Sequence, residues 1–220
     1  MPHAADNRRL PIHSRRLLAL ACLFTLPSGA GDLTLSAQQR DSRPLAGAVL
    51  TLAPESGAVA ALPRVEAVMD QVDLAFEPDV LVIPLHSSVH FPNSDAISHQ
   101  VYSFSSARNF QLPLYRGKPY PPVVFDQPGV VTLGCNIHDN MLAYIIVTDA
   151  PYFGRTDASG NFRVNGVPPG RYRLRLWHPL LNESQERVVE AGTADQSITL
   201  RLVRGLRPAP VTGRPHSWDY

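Results

Sequence analysis

Two short stretches hold most of the residues able to do chemistry in this chain. VHFPNSDAISHQVYSF runs from Val89 to Phe104, and PGVVTLGCNIHDNMLAYIIV runs from Pro128 to Val147. In the second, a β-patterned run ends at Cys135, a six-residue turn carries His138 and Met141, and another β-patterned run begins. A thiol, an imidazole and a thioether thus converge at one end of a sheet. His99, at the end of a neighbouring expected strand, adds a second imidazole. Two imidazoles and a thiolate with a weak axial thioether suit a copper ion that exchanges single electrons. Zinc also accepts thiolate and imidazole, but thioether is a poor ligand for it and the Irving–Williams order favours copper.

The enzymatic rival is a Cys/His nucleophilic pair, since His138 lies three residues from Cys135. It lacks a recognisable orienting third group or oxyanion loop, so a carrier is expected rather than an enzyme. His86 and His90, four apart on an expected strand, face the same side and read either as a second metal site or as a solvated face. His178, after Trp177 at a strand end, reads as structural. LPLYRGKPYPP, from Leu112 to Pro122, is expected to be a loop because of its prolines.

The elements that must position these residues are short β-branched or alternating runs bounded by Gly, Pro, Asn and Asp. They include Leu33 to Ala37, Ala48 to Ala53, Leu81 to Pro84, Gln100 to Ser105, Val130 to Gly134, Leu142 to Thr148 and Arg171 to Trp177. The spacing predicts an all-β protein built of sandwiches. Residues 33 to 54 read as a hairpin-like pair around Ser42-Arg43-Pro44, and residues 155 to 203 continue in the same style, with turns at Asp157-Ala158-Ser159-Gly160 and Pro168-Pro169-Gly170. These stretches resemble the carboxypeptidase-regulatory-like, prealbumin-type β-sandwich. The implied layout is one discontinuous sandwich of residues 31–64 and 150–203 with a second domain, 65–149, inserted between its strands.

That middle segment resembles a cupredoxin of the plastocyanin and amicyanin kind. Gly129-x5-Cys135 and Met141-x5-Val147 follow the two strands around the family's ligand loop, Cys-x2-His-x2-Met matches the short amicyanin-type loop, and Phe91-Pro92-Asn93-Ser94-Asp95 leading to His99 resembles the segment that delivers the first histidine. The resemblance implies a Greek-key β-sandwich with one copper ion, His99, Cys135 and His138 as equatorial ligands and Met141 as the axial one. It also implies a redox partner protein as electron donor or acceptor. Many members have Asn after the first histidine and an aromatic residue before the cysteine; this chain has Gln100 and Gly134. The whole chain further resembles exported proteins labelled methylamine utilization protein.

Composition narrows the rest. The 220 residues are 44% hydrophobic and 18% charged, too apolar for disorder. Outside the N-terminus no apolar run reaches the roughly 18 residues of a membrane helix, so the mature chain is expected to have no span. A formal charge of +1 without a Lys/Arg block excludes nucleic acid as the expected partner. Residues 1–30 read as a secretory signal: Arg8, Arg9, Arg15 and Arg16, then the apolar run Leu17 to Leu26, then Ser28, Gly29 and Ala30. The protein is thus expected in the periplasm or otherwise exported, with lipid anchoring through Cys22 the lesser alternative. Removal of the signal leaves Cys135 as the one thiol in an oxidising compartment, which a role as metal ligand would explain. Residues 204–220 read as a flexible tail.

Overall fold

The computed structural model describes residues 29–57, 61–117 and 120–208. The signal up to residue 28, Cys22 within it and tail residues 209–220 lie outside that part. Every regular element described is a strand, so the all-β expectation holds. The first ten, in chain order, are β1 (Gly31–Gln38), β2 (Val49–Pro54), β3 (Glu66–Val68), β4 (Asp70–Val72), β5 (Ala75–Glu77), β6 (Val80–Pro84), β7 (Ser87–His90), β8 (His99–Ser105), β9 (Arg108–Tyr115) and β10 (Val123–Phe125). Then follow β11 (Gly129–Cys135), β12 (His138–Thr148), β13 (Tyr152–Arg155), β14 (Asn161–Val167), β15 (Gly170–Trp177), β16 (Gln185–Ala191) and β17 (Gln196–Arg201).

Alternating leucines build one sandwich. Leu33 and Leu35 of β1, Leu50 and Leu52 of β2, and Leu174 and Leu176 of β15 are fully buried in a single cluster, each worth roughly 1.5–3 kcal/mol on transfer from water. They join a sheet of order β14-β1-β17 to one of order β13-β2-β15-β16. A second core, with Val89, Phe91, Phe125, Val131, Leu133, Ala143 and Ile145, fills the space between the sheet β6-β12-β11-β8-β9 and the sheet β10-β7-β3. The two cores meet at a small cluster of Val49, Val80, Ile146 and Trp177. There the Trp177 ring packs edge-on against Tyr144, with centroids 5.1 Å apart, while Arg155 donates to Asp79 and to the Val80 carbonyl.

The expected hairpin of residues 33 to 54 is not formed. The turn at Ser42 exists, with Ser42 N–H donating to the Gln39 carbonyl, but β1 and β2 belong to different sheets. Their leucines face each other across the core instead of lying side by side, because each strand finds two later partners: β14 and β17 for β1, β13 and β15 for β2. The prolines of Leu112 to Pro122 do not prevent a strand either, since β9 runs through Tyr115. It is an edge strand, and Pro113 falls at a bulge between the pairs Val101↔Leu112 and His99↔Tyr115, where a missing N–H costs little. His86 and His90 do not share a strand: His86 sits in a turn with φ 67°, and His90 on β7 faces Glu66 at 3.8 Å.

Candidate metal centre

Three adjacent strands of the five-stranded sheet deliver the donors. His99 is the first residue of β8, Cys135 the last of β11, and His138 the first of β12. The connection is tighter than the expected six-residue turn. Cys135 pairs directly with His138 across a two-residue turn, and a bulge between Gly134 and Cys135 takes up the residues that have no partner. The thiol faces inward by the same alternation that buries Val131 and Leu133: Cys135 is 3% exposed and free.

The side chains converge. His99 Nδ1 lies 3.0 Å from His138 Nδ1 and 4.0 Å from Cys135 Sγ, and His138 Nδ1 lies 3.6 Å from the same sulfur. Among the described residues this trio forms a group able to hold a metal ion. Two ring nitrogens this close share either a proton or a cation. An ion about 2.0 Å from each nitrogen and about 2.3 Å from sulfur would set its donors about 3 to 4 Å apart, so the donor types and their spacing both fit. Met141 is on β12, fully buried in the same apolar cluster as Cys135.

The surroundings tune these donors. Burial, with a smaller contribution from neighbouring His99, pushes the His138 pKa down against an opposing pull from Asp95, which keeps the ring in the neutral form that binds metals. The Gln100 N–H donates to Cys135 Sγ at 3.5 Å. Gln100 thus reaches the sulfur through its backbone, whatever its side chain does. His138 is the donor left partly exposed; His99 is wholly enclosed.

Two contributors were not singled out from the sequence. Asp95 Oδ2 lies 2.6 Å from His99 Nε2. Burial opposes its charge, but N–H donors from Leu74 and Asp73 and the His99 ring outweigh that and hold its pKa below the ordinary carboxylate value. A carboxylate four residues before a ligand histidine is the signal that would have found it. The second is Tyr102 of β8, directly opposite Gly134. A Cβ on Gly134 would stand 2.8 Å from the Tyr102 hydroxyl and 2.9 Å from its Cζ, so this ring fills the space that a side chain at position 134 would need. His178, as expected, is structural: its Nδ1 accepts the Leu180 N–H at 3.1 Å.

No family model matches the chain, and no curated protein does. Solved structures similar to part of it include the copper-containing nitrite reductase from Thermus scotoductus SA-01, at 26% identity over 43% of this chain with a TM-score of 0.36. The match spans only 25% of that enzyme. The reduced Cu(I) form of a single-residue mutant of amicyanin is 19% identical over 45% of this chain and 98% of its own, with a TM-score of 0.35. A purple cupredoxin from Nitrosopumilus maritimus is 21% identical over 37% of this chain and 96% of its own, with a TM-score of 0.32.

Proposed function

We propose that this chain is an exported cupredoxin-like protein that holds one copper ion at His99, Cys135, His138 and Met141 and passes single electrons to or from a redox partner protein. The observation that supports it most is the approach of a thiol and two imidazoles to within 3.0–4.0 Å at one sheet end. When bound, copper supplies exchange between Cu(I) and Cu(II). The thiolate and imidazoles serve both states, because the set mixes soft and borderline donors. Three hydrogen-bonded strands over a filled core hold the donors still, so little rearranges as charge changes. His138, with part of its ring at the surface, is the route between the site and the partner. The Gln100 N–H draws negative charge from the sulfur and so helps set the potential.

Within this reading residues 65–149 are the copper domain, set into a carboxypeptidase-regulatory-like sandwich of residues 31–64 and 150–203, and residues 1–30 direct export. The test is titration of the purified, metal-free protein with Cu(II). One equivalent should give an intense visible band from thiolate-to-copper charge transfer, absent in Cys135→Ser. A band that survives this substitution, or no stoichiometric uptake at all, sinks the proposal. A reversible one-electron voltammetric wave separates an electron carrier from a protein that stores or delivers copper.

A further inference from the structure

We propose that Asp95 is the positioning residue that sets the tautomer of His99, holding the ring proton on Nε2 so that Nδ1 faces Cys135 and His138 as an open donor. The purpose of this arrangement rests on the copper reading above; its chemistry does not.

A neutral imidazole carries one N–H, and which nitrogen bears it is decided by the partner of the other. His99 has no exposure to solvent, so the protein makes that choice. Its Nε2 is 2.6 Å from Asp95 Oδ2, and a carboxylate can only accept. The proton therefore sits on Nε2. The opposite nitrogen points to His138 Nδ1 at 3.0 Å and Cys135 Sγ at 4.0 Å.

Asp95 is itself held on every side. Its Oδ1 accepts the Asp73 N–H at 2.7 Å, its Oδ2 accepts the Leu74 N–H at 3.0 Å, and its own N–H donates to Asn93 Oδ1 at 3.0 Å. Asn93, buried, is tied in turn to the carbonyls of Ile97 and Tyr115. Asp73 and Leu74 form the turn between β4 and β5 with φ values of 50° and 61°, a conformation that aims successive N–H groups at one anion. The turn thus fixes the carboxylate, and the carboxylate fixes the ring. Every group facing the two oxygens is an N–H donor.

A plain turn-capping role for Asp95 makes a different prediction for the ring. Oδ2 faces both the Leu74 N–H and His99 Nε2, whereas Oδ1 accepts only the Asp73 N–H. An Asn oxygen in the Oδ2 place therefore keeps the ring proton on Nε2 and gives up a single turn bond, while Ala imposes no tautomer. A mere cap leaves the His99 tautomer unchanged in the Ala variant, whereas a tautomer-setting residue loses it there.

The experiment uses the full-length, metal-free protein labelled with 15N-histidine. The imidazole nitrogen shifts should show His99 protonated at Nε2 in the wild type and in Asp95→Asn, and a mixture of tautomers in Asp95→Ala. Copper titration should then rank affinities wild type, Asp95→Asn, Asp95→Ala, with Asp95→Ala lower than wild type by about 10–100-fold, the usual cost of losing a ligand's carboxylate partner. A wild-type His99 protonated at Nδ1 overturns the proposal, as does an Ala variant that keeps the wild-type tautomer. Should Asp95→Ala fail to fold, the wild-type spectrum decides alone. A wild type with the expected tautomer that takes up no copper supports the positioning role while refuting the copper function.

Discussion

Tyr102 and Gly134 face each other across β8 and β11, and the ring of the one fills the volume that the other leaves empty. Because Gly134 precedes Cys135, this contact backs the segment that presents the thiol. Gly134→Ala should force the ring outward and cost about 1–3 kcal/mol, the usual penalty for overpacking. Chemical denaturation checks this. Adding Tyr102→Ala should recover part of the loss; strictly additive effects would show that the two residues do not share the space.

Trp177 connects the two cores through Tyr144 and the Val49, Val80 and Ile146 cluster. Trp177→Ala should lower stability by about 3 kcal/mol and separate the unfolding of the two sandwiches into distinct transitions, read by circular dichroism and calorimetry. A single transition with unchanged midpoint would mean that this junction does not couple them.

Met141→Leu nearly conserves volume in a fully buried position, so its cost in stability should stay below about 1.5 kcal/mol. On the proposed copper reading the variant should retain the ion with a raised reduction potential, because a Met141 thioether donor would lend Cu(II) modest electron density. His99→Ala should instead weaken copper binding strongly. Equal loss of metal in the two variants would contradict this ranking of ligands.

Tyr115, 8% exposed, donates to the Phe91 carbonyl and accepts from Gln71. Burial pushes its phenol up to about 12, against a partial lowering by the Gln71 hydrogen bond. The folded-state value lies above that of an unfolded tyrosine, so the stability it adds, about 3 kcal/mol at about 1.4 kcal/mol per unit, is whole below pH 10 and is lost as pH rises toward 12. Ultraviolet difference titration should show a tyrosine ionising toward pH 12, and Tyr115→Phe should remove that late step. Uniform titration near pH 10 would refute the assignment.

The alternating leucines and the spacing of Cys135, His138 and Met141 made the strands and the sheet-end cluster readable, because each is a local pattern. Strand pairing was less legible. β1 and β2 read as neighbours, yet their partners lie over a hundred residues further on, which no local period records. The three-residue strands β3, β4 and β5 are too short to alternate, and β9 was hidden by a proline that an edge bulge tolerates. At the site the convergence of His99, Cys135 and His138 was legible, whereas the hydrogen bond of Asp95 depends on the β4–β5 turn folding over it, a relation between Asp73, Leu74 and Asp95 visible only in three dimensions.

The pairing of β1 with β14 and β17, and of β2 with β13 and β15, also dictates a timetable. Ser36 hydrogen-bonds Asn161, 125 residues later. At a synthesis rate of roughly 5–20 residues per second, β1 spends on the order of ten seconds outside the ribosome before its first partner exists. Its leucines and open backbone edges must be shielded throughout. Strands β3 to β12, whose sheet partners all lie among themselves, can meanwhile pair, and β13 then follows to lie beside β2. The order of completion is therefore the reverse of the order of birth: the first strands made are the last to be satisfied.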